Sequence, residues 1–94
     1  MSHESDRWYS ALLDEATARS DAALQSGASW FHVRRPIDDA ATMLAEVAVG
    51  ARSIPEGSDA SDREITYGIQ FGRAYLVALR RRMRERVSVR DGAS

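Results

Sequence analysis

The side chains able to do chemistry are few, and their spacing keeps them apart. Two histidines, His3 and His32, stand far from each other in a chain of 94 residues that has no cysteine. That leaves no thiolate or His-rich metal site, no disulfide framework and no Cys nucleophile. Asp38 and Asp39 are adjacent, as are Asp14 and Glu15. Neighbours on a helix point about 100° apart, so neither pair converges on one substrate as acid and base. No Glu-x-x-His or His-x-x-x-His spacing offers metal ligands. Lysine is absent, which removes the phosphate-loop and Schiff-base chemistries that need it. The serines lie in no nucleophile elbow. The expectation is a protein that is not an enzyme, with no cofactor, no metal and no small-molecule substrate.

Recognition chemistry remains, and three features carry it. The first is arginine. All 13 basic residues are Arg, against 14 acidic ones, for a net charge of −1. The whole molecule therefore has no electrostatic preference for nucleic acid or anionic membrane. The charges are nevertheless segregated: residues 1–72 hold six Arg and twelve acidic residues (−6), residues 73–94 seven Arg and two acidic (+5). Arg80, Arg81, Arg82, Arg84 and Arg86 form the dense part. Guanidinium suits carboxylate and phosphate alike. The segment is thus a solvated face paired to the acidic first helix, a surface for an acidic protein, or a phosphate clamp over Arg80–Arg90. The second feature is aromatic: Tyr67, Phe71 and Tyr75 recur at i, i+4 and i+8, and Trp30 and Phe31 stand together. Aromatics are favoured interface anchors. The third is Gly68-x-x-x-Gly72. Glycine inside a helix costs about 1 kcal/mol relative to Ala, so close packing against another helix is expected there.

The elements that hold these residues read as helices. Trp8, Tyr9, Leu12, Leu13, Ala16, Ala23 and Leu24 recur at helical spacing and predict a helix over 5–25, capped by Ser5 or Ser2 and stopped at Ser26-Gly27. Residues 27–35 read as an irregular connection whose aromatics either plug the bundle or dock a partner. Pro36 suits a first helical position, with Asp38 and Asp39 in the first turn, and predicts a second helix over 37–51. Its stripe is Ile37, Ala40, Ala41, Leu44, Val47, Ala48 and Ala51. Residues 53–60 are a loop by composition. Ser61-x-x-Glu64 then resembles a capping box, opening a third helix over 62–87. Its core stripe is Ile65, Ile69, Gly72, Leu76, Leu79, Met83 and Val87; Tyr67, Phe71, Tyr75 and Ala78 form a second stripe. The apolar arc there spans about 200°, where a bundle helix needs only ~100°. Residues 88–94 read as a frayed tail.

These elements predict one all-α domain over 1–94: a small antiparallel three-helix bundle with a short middle helix and a long C-terminal helix whose end overhangs. The helices would measure roughly 32, 21 and 39 Å. Leu12, Leu44, Ile69, Leu76 and Leu79 are expected among the most buried residues. No apolar run approaches the ~20 residues of a membrane span. The polar start Met1-Ser2-His3-Glu4-Ser5-Asp6 shows no secretory pattern, so a cytoplasmic location without membrane contact is expected. The expected function is binding of a macromolecule, protein in preference to nucleic acid, in an adaptor, immunity or inhibitor role of the kind phages and mobile elements encode. The expected contacts are Arg80, Arg81, Arg82, Arg84, Arg86, Tyr67, Phe71, Tyr75, Trp30 and Phe31. A nucleic-acid-binding module using the arginine segment is the alternative. A homodimer through the third helix is a further one.

Overall fold

The computed structural model describes residues 4–53 and 62–92, in which three helices and no strand occur: α1 (Glu4–Gln25), α2 (Trp30–Ala48) and α3 (Asp62–Asp91). All three pack on one another as a small three-helix bundle. α1 and α2 run antiparallel, with Ser20 against Val33. α2 and α3 are antiparallel too, with Asp38 against Arg80. α1 and α3 therefore run parallel, and Tyr9 meets Ile65 while Thr17 meets Tyr75.

α1 follows its periodicity. Tyr9, Leu13, Ala16 and Leu24 are buried, while Trp8, Leu12 and Ala23 flank them half-buried. Leu12 is thus not a core centre; its neighbour Leu13 takes that place. Ser5 falls inside the helix rather than at its cap, and Ser2 lies outside the described residues. The stop is as expected. Gly27 adopts φ +82°, its N–H bonds the Leu24 carbonyl, and the Ala28 N–H reaches back to Ala23. This is the Schellman pattern, which only a residue at ease with positive φ closes cheaply.

The middle helix differs most from expectation. α2 starts at Trp30, not after Pro36, with Ser29 extended at its N-cap. The supposed irregular connection shrinks to residues 26–29. Pro36 is the seventh residue of the helix, and Asp38 and Asp39 sit mid-helix, away from the dipole's positive end. A proline inside a helix removes a backbone bond and costs about 3 kcal/mol. The compensation is burial. Val33 is 0% exposed and Trp30 half-buried, and full burial of an apolar side chain contributes roughly 1.5–3 kcal/mol. Val33, Ile37, Ala40, Leu44 and Val47, spaced 4-3-4-3, form one unbroken buried stripe through the proline. At the other end the helix stops earlier than 51. Val49 caps it, and Gly50 at φ +78° closes a second Schellman turn through the Ala51 N–H to Glu46. Ala48 and Ala51 are exposed.

Of its expected core stripe, α3 buries Ile69, Gly72, Leu76, Leu79, Met83 and Val87, while Ile65 is half-buried. The capping Ser61 lies outside the described residues. Residues 88–91, expected to fray, instead continue the helix to Asp91. The expected overhang is absent as well. Because α2 begins seven residues earlier, its first turn lies level with Arg80 and Arg84. The last turn of α3 packs onto the α1–α2 turn, where the Arg90 guanidinium donates to the carbonyls of Leu24 (3.0 Å) and Ala28 (2.8 Å).

Among the described residues, the buried set contains one polar side chain. Ser20 is 0% exposed, and its hydroxyl donates to the Val33 carbonyl at 2.8 Å. The two α3 glycines each make a socket for a side chain. A Cβ on Gly68 would run into the Tyr9 ring, and one on Gly72 would lie 2.8 Å from Leu44 Cδ1. The glycine pair thus serves α1 at one position and α2 at the other.

Candidate interaction surface

The fold divides the sequence-derived residues into three groups. Trp30 turns inward between α2 and α3. The guanidinium carbons of Arg80 and Arg84 lie 5.5 and 5.2 Å from its ring centroid. These i and i+4 residues of α3 cover the indole by cation–π contact. Arg80 also donates to Asp38 at 3.2 Å, and Asp38 pairs with Arg34 at 3.8 Å. Trp30, Arg80 and Arg84 thus fasten the start of α2 to α3.

The second group faces α1. The Tyr75 hydroxyl is 3.0 Å from Thr17 Oγ1 and its ring packs on the core, which takes it out of the aromatic face. Arg86 donates to Asp21 at 3.2 Å. Arg90, 28% exposed in its side chain, holds Asp91 as well as the two carbonyls. The hydrogen bond from Arg90 keeps the Asp91 carboxyl below its ordinary value, and the charges of Arg90 and Arg84 act in the same sense.

The third group faces outward. Tyr67 is 68% and Phe71 61% exposed. Ala74, Ala78, Arg81, Arg82 and Glu85 are exposed along the same side. Among the described residues, nothing pairs with the side chains of Arg81 or Arg82. Trp30 and Phe31, both in the first turn of α2, do not cover this face. Phe31 instead stands 51% exposed at the start of α2, against His32 and under Arg34 and Arg35. Tyr67 and Phe71 lie on the surplus stripe that their spacing predicts. Ala74 and Glu85 continue that stripe, and only their helical spacing signals it, since neither residue type stands out.

Among the described residues, no group of three His, Asp or Glu side chains could hold a metal ion. None of their helices is long and apolar enough to cross a membrane. No protein-family model, curated protein or solved structure matches the chain.

Proposed function

We propose that this chain is a non-enzymatic protein-binding module that receives a partner helix along the outer face of α3. One observation carries the reading: Tyr67 and Phe71 stand 68% and 61% exposed, one turn apart, on a helix whose opposite face already forms the bundle core. Exposed aromatics in a row are costly to leave in water and are favoured interface anchors. Arg81 and Arg82 supply a charged rim beside them. An adaptor, immunity or inhibitor role in the cytoplasm fits such a module. Less supports nucleic acid as the partner. Arg80, Arg84, Arg86 and Arg90 are engaged within the chain, so few guanidinium groups remain for a phosphate backbone.

The test compares wild type with Phe71→Asp as baits in a lysate of the source organism. At least one protein held by wild type should be lost from the variant, while the helical circular-dichroism spectrum stays unchanged. Identical captures by both baits would overturn the reading. Capture governed by Arg81→Glu/Arg82→Glu alone, and abolished by nuclease, would replace it with nucleic-acid binding.

A further inference from the structure

The inference rests on the outer face of α3 being a binding surface, and it names the occupant. The residues Tyr67, Phe71, Ala74, Ala78, Arg81 and Glu85 follow one another at spacings of 4, 3, 4, 3 and 4. That is the seam pattern of helices that pack side by side as a coiled coil. All six are exposed, so the seam is separate from the one that builds the bundle core.

The seam is complementary to itself in one direction only. About a twofold axis level with Leu76, an antiparallel copy sets Ala74 opposite Ala78, Phe71 opposite Arg81 and Tyr67 opposite Glu85. Alanine at the central crossing lets the two helix axes approach closely. On either side a guanidinium meets an aromatic face, a favourable cation–π pairing, and a tyrosine hydroxyl meets a carboxylate that accepts its hydrogen bond. In a parallel pair, Arg81 would face Arg81 and Glu85 would face Glu85, with like charges opposed. The flank agrees with the antiparallel choice. α1 runs beside α3 with Tyr9 at the level of Ile65 and Thr17 at that of Tyr75. Asp14 therefore lies near the level of Phe71. The same twofold brings Arg82 of the second copy close to that level, adding a cation beside the exposed Asp14. We infer that the chain forms an antiparallel homodimer through the outer face of α3, with Phe71 and Arg81 exchanged across the interface.

The absence of cysteine makes the register directly measurable. Sedimentation equilibrium of the full chain from tens to hundreds of micromolar should show a dimer for wild type and a folded monomer for Phe71→Asp. Arg81→Glu, which puts a carboxylate over the ring, should weaken self-association about tenfold. Oxidation of mixed Tyr67→Cys and Glu85→Cys proteins should give a disulfide between the two variants and little within either alone. The two copies of residue 67 would lie about 27 Å apart along the seam at 1.5 Å per residue. Cross-linking of Tyr67→Cys with itself would establish a parallel pair and overturn the inference. A wild-type monomer throughout, or a Phe71→Asp dimer, would also overturn it. In the monomer case the lysate comparison still decides separately whether the face binds a different helix.

Discussion

Gly68 shows how a single residue changes meaning between sequence and structure. Its spacing to Gly72 marks close packing, but not which neighbour is close. The neighbour is the Tyr9 ring, whose hydroxyl donates to the Ile65 carbonyl at 3.0 Å and so resists moving away. Gly68→Ala gains about 1 kcal/mol of helix propensity but overpacks the ring, which typically costs 1–3 kcal/mol. The net expectation is a loss of about 1 kcal/mol. In a Tyr9→Ala background the socket is empty, so the same substitution should stabilise. Urea unfolding of the four variants in the cycle measures this, and an effect of equal sign in both backgrounds would show that Tyr9 is not what the glycine accommodates. Leu44, Ile69, Leu76 and Leu79 were legible from periodicity because each sits at the centre of a stripe. Leu12 was not, because Leu12 and Leu13 differ by one helical step and only the neighbouring helices decide between them. Ser20 was invisible for another reason: its burial depends on a carbonyl of α2 that lies thirteen residues away.

At the scale of the element, α2 carries the conflict between local preference and tertiary packing. Proline is read from sequence as a start signal, and here the helix begins six residues earlier because Trp30 and Val33 have a core to enter. The 4-3-4-3 spacing from Val33 to Val47 contained that information, but the breaker signal of Pro36 outweighed it. The Gly27 end of α1 was legible, since its chemistry is local, whereas α2 stops at Ala48, short of the expected 51. The residue is therefore a standing cost. Pro36→Ala restores an N–H to bond the His32 carbonyl and should raise stability by about 2 kcal/mol, less than the full helix-interior penalty because proline also restricts the unfolded chain. An urea midpoint shift with unchanged slope would report it. A variant no more stable than wild type would mean that the ring's contacts in the cleft beside Leu12 and Met43 are worth as much as the missing bond.

At the scale of the whole molecule, the charge segregation acquires a cause inside the chain. α1 and α3 run parallel, so their C-termini, each carrying a partial negative charge, lie at the same end of the bundle. α1 has no basic residue in its last turn. The arginines of α3 supply the cations for both: Arg86 pairs with Asp21, and Arg90 donates to Leu24 and Ala28 where α1 ends. The acidic and basic halves are legible in the sequence and this pairing is not, because chain order alone does not bring the end of α1 beside the end of α3. The contacts are unequal in weight. Arg86–Asp21 is about half exposed, and such pairs contribute roughly 0–1 kcal/mol. Arg90 is mostly covered and joins three segments at once, so Arg90→Ala should cost about 1–2 kcal/mol, the scale of hydrogen bonds from a charged donor after solvent competition. Its effect should also be local. Amide exchange should accelerate over residues 88–91, beyond the last buried core residue Val87, and stay slow over 69–79 in the core. Uniform acceleration along α3 would mean that the helix opens only with the whole bundle, and unchanged exchange at its end would show that Met83 and Val87 hold it without the arginine.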